Sequence, residues 1–175
     1  AVLLLLTGTG MMLELPEESD AALAAAGLPV APRAMAHGAH HAGHPPRPPR
    51  IGPSEAARVA LAALPGARAA WIETPPAMGG TYRLRLQVPG DPGFRFPHSF
   101  AWVDAENGRL VALDDLRRAP AGSRIKAWVH PLHDGSELGL PGRILAALAG
   151  LLPAILFVTG WRRWRLGRRA GQIRA

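Results

Sequence analysis

Hydrophobic residues follow three different patterns along this chain. An apolar run opens it at residues 1–6, short amphipathic segments occupy residues 54–113, and an uncharged apolar run fills residues 144–160 before Trp161-Arg-Arg-Trp-Arg. As a helix, the 18 residues from 144 to 161 would cover about 27 Å, close to the hydrocarbon thickness of a thin bilayer. The last run therefore predicts a transmembrane helix.

The composition of this run favours insertion and close packing. Nine of its 18 residues are Leu, Ile, Phe or Val, whereas Gly150 and Pro153 reduce the gain. Ala146, Gly150 and Ala154 recur at every fourth position, so they lie on one face and predict close contact with neighbouring helices. A buried helix of a soluble protein is the alternative, but such a helix rarely ends in a basic aromatic sequence.

Positive charge is concentrated at the C-terminus. Residues 162–175 carry no acidic residue and six arginines, which are Arg162, Arg163, Arg165, Arg168, Arg169 and Arg174. Without these six, the formal net charge falls from +7 to +1, so the charge belongs largely to the tail. The positive-inside rule places the C-terminus in the cytoplasm and the preceding region outside. No basic patch with interleaved aromatic residues accompanies it, so nucleic acid is not an expected partner.

The opening run is too short to cross a bilayer by itself. It lacks a basic region before it and a small-residue cleavage site after it, so it does not resemble a signal peptide. We interpret residues 1–12 as the end of a truncated transmembrane helix, and the chain as the C-terminal part of a longer polytopic protein. The alternative is a short hydrophobic N-terminus of a complete chain.

The middle of the chain predicts a small α+β domain. Residues 14–25 indicate a short surface helix and residues 27–53 a Pro/Gly/His-rich linker. A second helix is expected from the N-cap Ser54 to Leu64, where Pro65-Gly66 ends it. Strands are expected at residues 70–73, 82–88, 99–104 and 109–113, with Asn107-Gly108 turning the last pair into a hairpin. The fold class is α+β, a helix packed on a small antiparallel sheet and joined to a C-terminal transmembrane helix.

Two sets of motifs resemble known families. Residues 54–113, which open on Glu-Ala-Ala and close on Val-Asp-Ala-Glu-Asn-Gly-Arg-Leu, resemble a PepSY domain. The later sequences Pro131-Leu-His-Asp-Gly, Gly139-Leu-Pro-Gly-Arg and Val158-Thr-Gly-Trp-Arg-Arg resemble the last helix of the PepSY-associated transmembrane family. Leu6-Thr-Gly is similar to the end of that family's preceding helix.

This resemblance implies a domain order for the chain. The expected parts are the truncated helix (1–12), a short helix and linker (13–53), a PepSY-like extracytoplasmic domain (54–118), a membrane-proximal segment (119–142), the transmembrane helix (143–161) and a basic cytoplasmic tail (162–175). The implied location is the bacterial inner membrane, as a multi-pass protein with residues 13–140 in the periplasm. The expected partners are the lipid bilayer and the missing helices of the same protein.

The resemblance also implies a function. Some members reduce ferric siderophores with b-type haem, whose axial ligands are histidines near the helix ends. His133 stands at the family position and is therefore the candidate haem ligand, since haem iron takes neutral imidazole. Hydrogen bonding to headgroups or helix capping is the alternative for His133. The family commonly has an aromatic residue where this chain has His130, so no haem role is transferred to that residue.

Two functional classes therefore stay open. The parent protein would be a haem-dependent ferric-chelate reductase linked to iron or siderophore uptake. Alternatively, the PepSY unit would be a tethered binding or inhibitory module that regulates an extracytoplasmic protease or another partner, without redox activity. Upstream helices with a histidine near each end would favour the first.

Other chemistry finds little support in the sequence. The linker histidines His37, His40, His41 and His44 could bind Zn²⁺, Cu²⁺ or Ni²⁺, either adventitiously or in metal delivery, but prolines and glycines surround them. The chain has no Cys and no catalytic motif such as G-x-S-x-G or H-E-x-x-H, and no catalytic residue is assigned. His98 has no expected role. A solvated turn would explain the acidic residues Asp104, Glu106, Asp114 and Asp115.

Overall fold

The structure, a computed structural model, describes residues 2–32, 47–76 and 79–173, with side chains up to residue 166. It divides into two compact units. One comprises Ala1–Met11 with Pro131–Ala175, and the other comprises Met12–His130. We call them the 1–11/131–175 unit and the 12–130 unit, and each is described by itself.

Five helices and four strands make up the described chain. The helices are α1 (Val2–Glu14), α2 (Pro16–Ala25), α3 (Pro53–Ala63), α4 (Ala121–His133) and α5 (Gly139–Ile173). The strands are β1 (Arg68–Glu73), β2 (Thr81–Gln87), β3 (Ser99–Asp104) and β4 (Leu110–Asp114). Short 3-10 turns lie at Leu116–Arg118 and Ser136–Leu138. The α+β class predicted from the sequence is confirmed, and each predicted strand lies within two residues of an observed one.

The four strands form one antiparallel sheet in the order β1-β2-β3-β4. Side chains of β2 alternate between the two faces, so Tyr82, Leu84 and Leu86 are buried while Arg83 and Arg85 lie on the opposite face. In the β2–β3 register, Arg85 stands opposite Phe100. The alternation seen in the sequence therefore reflects a sheet with one core face and one polar, aromatic face.

Helix α3 covers the core face of the sheet. Its buried residues Ala56 and Ala60 are small, which allows the helix to lie close to Leu84, Leu86 and Val103. All five side chains are fully removed from solvent. At about 25 cal/mol per Å² of apolar surface removed from water, this contact stabilises the small domain.

The N-cap of α3 differs from the prediction. Gly52 is the N-cap and Pro53 occupies the first turn, while the predicted cap Ser54 is already inside the helix. Proline suits this position because its fixed φ matches the helix and its missing N–H would have no intrahelical acceptor. The helix therefore begins on Pro53.

Helix α5 contains the predicted transmembrane run and extends beyond it at both ends. Residues Ser136–Leu166 are long and apolar enough to cross a membrane, and most of their apolar side chains are exposed. Helix α1 is apolar but has only 13 residues. Helix α4 was not predicted, since residues 119–142 were expected only to form a membrane-proximal segment.

Candidate functional site

His133 is the last residue of α4 and belongs to the 1–11/131–175 unit. Pro131 lies in the last turn of this helix, where its missing N–H removes only one hydrogen bond. Two residues after the helix, Gly135 has a φ of 71°, in the left-handed region that favours glycine. The local sequence His-Asp-Gly thus places the half-buried His133 at a helix terminus.

The imidazole of His133 contacts α1 through Thr9. Its Nδ1 lies 3.0 Å from the Thr9 Oγ1, although 124 positions separate the two residues. The same hydroxyl lies 2.7 Å from the carbonyl oxygen of Leu5 and donates its single proton there. With the hydroxyl proton assigned to Leu5, a neutral His133 donates from Nδ1 to Thr9, and this tautomer leaves Nε2 with its lone pair.

A glycine in α1 provides the space for this ring. A Cβ at Gly10 would lie 3.2 Å from Cε1 of His133, tighter than an ordinary van der Waals contact. At Gly8, by contrast, a Cβ would meet nothing within 4 Å. Gly10 therefore lets α1 approach the imidazole closely, and this function explains one of the two glycines in the Thr-Gly-Thr-Gly sequence.

Two further glycines pack the turn between α4 and α5. A Cβ at Gly135 would overlap the backbone of Gly142, and a Cβ at Gly142 would overlap the carbonyl of Gly135. Their backbones therefore touch, one in the turn after α4 and the other in the first turn of α5. This contact gives a structural reason for the glycines in the His-Asp-Gly and Leu-Pro-Gly-Arg motifs, because they bring the start of α5 against the end of the histidine-bearing helix.

The 12–130 unit contains a second feature, a groove of 810 Å³ beside the polar face of the sheet. Arg85, Phe96, Phe100 and His130 line it, together with Lys126 from α4. The Arg85 guanidinium carbon lies 4.9 Å from the Phe100 ring centroid and 6.0 Å from that of Phe96. The His130 ring meets Phe96 edge to face at 5.6 Å. We call these residues the arginine–phenylalanine groove.

Two groups at the groove have perturbed ionisation. Partial burial lowers the pKa of Arg85, and the neighbouring positive charge of Arg83 lowers it further, although the guanidinium stays charged at neutral pH. Burial also raises the pKa of Asp114, the cross-strand partner of Phe100. Within the described residues, Arg85 forms no ion pair with a carboxylate, whereas Arg83 pairs with Glu73 at 3.2 Å.

The acidic residues that the sequence analysis assigned to a solvated turn have separate roles. Asp104 is buried, and its carboxylate accepts the backbone N–H groups of Glu106 and Asn107 in the hairpin turn. Glu106 pairs with Arg47, and Asp115 caps the 3-10 turn Leu116–Arg118. A solvated turn was therefore the wrong interpretation for Asp104, although its role is structural.

The remaining histidines divide into those the structure describes and those it does not. His98 was expected to have no role, but its Nδ1 lies 3.0 Å from the fully buried carboxylate of Asp91. His37, His40, His41 and His44 lie outside the described residues. In the ranges that are described, no group of three or more His, Cys, Asp or Glu side chains is arranged to hold a metal ion.

The comparisons with known proteins give one family. The model of the PepSY-associated TM region matches residues 1–166, which is almost the whole chain. No curated protein matches the sequence significantly.

Proposed function

The chain belongs to the PepSY-associated transmembrane family, and from this premise we propose that it forms part of an electron-transfer protein of the bacterial inner membrane. In this proposal the protein would deliver electrons to a ferric chelate during iron uptake, and His133 would hold a b-type haem. The haem would supply one-electron transfer when bound.

The contact between Thr9 and His133 is the observation that carries this proposal. A histidine that binds a metal commonly donates its other ring N–H to an oxygen, which fixes the tautomer and the orientation of the ring. The Thr9 hydroxyl is such an oxygen for Nδ1, at 3.0 Å. Because the described residues give Nε2 no hydrogen-bond partner, the lone pair required for iron is available, and the residues present suit haem.

The proposal assigns distinct roles to the residues around this histidine. His133 would bind the iron through Nε2, Thr9 would orient the imidazole, and Gly10 would leave room for the ring. The apolar surface of α5 would seat the protein in the bilayer and keep water away from the centre.

Topology is part of the same proposal. The six C-terminal arginines support a cytoplasmic tail by the positive-inside rule. Residues 13–140 would then lie in the periplasm, where the 12–130 unit would meet the chelate. The parent protein would be multi-pass, with further helices packed against α5.

The test is the absorption spectrum of the full-length membrane protein. We expect a b-type haem spectrum that His133→Ala removes or strongly alters, while His130→Ala, three residues earlier in the same helix, retains it. A folded, colourless wild-type protein would overturn the redox proposal. An unchanged spectrum in His133→Ala would overturn the assignment of this ligand.

The tethered binding module is the second candidate. The arginine–phenylalanine groove favours it, because this groove lies wholly within the 12–130 unit and uses neither His133 nor α5. A colourless protein that retains a ligand or protein partner at this groove would support the module and exclude the reductase.

A further inference from the structure

The polar face of the sheet carries positive charge next to aromatic rings. Arg83 and Arg85 project from the same face of β2, and Phe100 lies opposite Arg85 on β3. Phe100 lies within reach of both guanidinium groups, at 5.3 Å from Arg83 and 4.9 Å from Arg85. Phe100 also stacks on the buried Trp102, with ring centroids 5.8 Å apart. The phenyl ring is therefore held in place from two sides.

The loop before β3 adds a second ring and a third cation. Phe96 lies 6.0 Å from Arg85 and 5.4 Å from Arg95, and it meets the His130 ring at 5.6 Å. Phe96 and Phe100 are both partly exposed, so their surfaces remain open to a ligand. The groove therefore presents two aromatic rings with a guanidinium group between them.

Arg85 differs from the other basic side chains at the groove, because it has no ion pair in the described residues. Lys126 pairs with Asp20, and Arg117 pairs with Asp115 at 2.9 Å. Arg85 forms no ion pair in the part of the chain that the structure describes, and its one hydrogen bond, to the Pro97 carbonyl, is 3.5 Å long. Most of its five N–H donors therefore lack a partner among these residues. A partly buried guanidinium in this state favours an anion that reaches it.

We propose that the arginine–phenylalanine groove binds a small anionic ligand that carries an aromatic ring, an aryl carboxylate. The anionic oxygens would accept charge-assisted hydrogen bonds from the edge of Arg85, whose planar fork suits two oxygens. The ligand ring would pack on Phe96 and Phe100 by offset or edge-to-face stacking. This arrangement selects for an anion and a ring on the same molecule.

The groove also contains a group that opposes such a ligand. Asp114 lines it and is the cross-strand neighbour of Phe100. Its carboxylate has no hydrogen-bond or ion-pair partner in the described ranges, so its charge acts directly on an incoming anion. Removing this charge should strengthen binding, in contrast to the removal of the Arg85 charge.

The groove would be the chelate-binding side of the reductase, and this assignment rests on the proposed function. Binding of an iron-free aryl anion does not rest on it. Aryl carboxylates can reach the groove either as free acids or as the organic part of a ferric chelate. Both sources present the same carboxylate and ring to the groove. A competition experiment with the ferric complex distinguishes them.

Isothermal titration calorimetry of the detergent-solubilised chain with 2,3-dihydroxybenzoate tests the proposal. We expect Arg85→Gln to weaken binding about tenfold, since a charge-assisted hydrogen bond is lost. Arg58→Gln is the matched control, because Arg58 is exposed on α3 and lines no part of the groove.

A second variant and a second ligand test the role of charge. Asp114→Asn should bind 2,3-dihydroxybenzoate more tightly than wild type does. The uncharged 2,3-dihydroxybenzamide should bind weakly, with equal affinity for wild type and Arg85→Gln.

Several results would overturn the proposal. These are absence of binding, equal weakening by Arg85→Gln and Arg58→Gln, or equal affinity for the benzoate and the benzamide. Arg85→Lys keeps the charge and should bind with intermediate affinity, provided that circular dichroism shows each variant to be folded.

A competition experiment with the ferric complex tests only whether the groove binds the substrate of the proposed reductase. If the ferric complex of 2,3-dihydroxybenzoate competes with the free acid, the groove accepts the chelate; failure to compete removes the link to reduction. A colourless protein would overturn the haem proposal and leave these binding data intact, so the two failures are distinguishable.

Discussion

Thr9 and His133 are joined by a contact of 3.0 Å between Oγ1 and Nδ1, although 124 positions separate them in the sequence. Thr9 is only 7% exposed, and its hydroxyl also donates to the carbonyl of Leu5. Since one hydroxyl carries one proton, this second bond makes Thr9 the acceptor of the imidazole N–H. Thr9, which would not itself bind the haem, thereby selects the tautomer of His133, the proposed haem ligand.

The first prediction concerns the Thr9 hydroxyl. Thr9→Val keeps the shape of the side chain but removes the acceptor for Nδ1, so under the haem proposal we expect haem affinity to fall about 10- to 100-fold. Haem retention during dilution and the absorption spectrum measure this effect.

Thr159→Val is its matched control. Thr159 donates to Ile155 in the same i−4 manner, at 2.8 Å, but its hydroxyl makes no hydrogen bond to a histidine in the described residues. Equal haem loss in both variants would show that Thr9 acts through helix stability rather than through His133.

The second prediction uses the two glycines of α1 and does not depend on haem. A Cβ at Gly10 would press on His133 at 3.2 Å, whereas a Cβ at Gly8 would meet open space. In a helix interior Gly→Ala alone stabilises by about 0.5–1 kcal/mol. We therefore expect Gly8→Ala to raise the unfolding temperature in detergent, and Gly10→Ala to gain less or to lose stability.

Circular dichroism of both variants across the thermal transition is the measurement. If Gly10→Ala were as stabilising as Gly8→Ala, the close approach of α1 to the imidazole would be disproved.

The sequence predicted the parts of the fold that repeat a simple pattern. In β2, alternating apolar and polar residues reveal the strand because one face of the sheet is buried under α3. Helix α4 was missed because Pro131 normally signals a helix end, and here it lies in the last turn, where its cost is small.

The candidate site was harder to predict for a physical reason. His133 could be proposed from a family motif, but its contact with Thr9 joins positions 124 residues apart, and no local pattern encodes such a pair. The arginine–phenylalanine groove was missed in the same way. Arg83, Arg85 and Phe100 are ordinary strand residues until the β2–β3 register places them side by side.

The third prediction concerns Asp115, which caps the 3-10 turn Leu116–Arg118. Its carboxylate accepts from the backbone N–H of Arg117 at 3.0 Å and also from the guanidinium of that residue. The hydrogen bond from the Arg117 side chain lowers the pKa of Asp115. Asp115→Ala should therefore cost about 1 kcal/mol of unfolding free energy at pH 7, the usual value of a lost cap.

The pH dependence of this contribution has a definite sign. Because the folded-state pKa lies below the unfolded value of about 3.9, the stabilisation is fully present above that pH and is lost as the pH falls towards the folded pKa. Thermal unfolding of wild type and Asp115→Ala between pH 7 and pH 3 should show the gap closing only at the acidic end. A constant gap would assign the effect to packing.

The fourth prediction concerns Asp114, next in sequence to Asp115 but opposite in behaviour. Burial raises its pKa, so the folded state binds the proton more tightly than the unfolded chain does. The ionised carboxylate then destabilises the fold, with a cost that begins near the unfolded pKa of about 3.9 and is complete above the folded pKa. Asp114→Asn removes this cost, and we expect a higher unfolding temperature at pH 7 and a difference from wild type that shrinks as the pH is lowered.

Asp115→Asn is the matched control, because it also removes one carboxylate charge. It should lower the unfolding temperature at pH 7, because it loses the charge that pairs with Arg117. If both substitutions shifted the unfolding temperature in the same direction, net charge and not local burial would govern these two positions, and the opposing role of Asp114 at the groove would lose its physical basis.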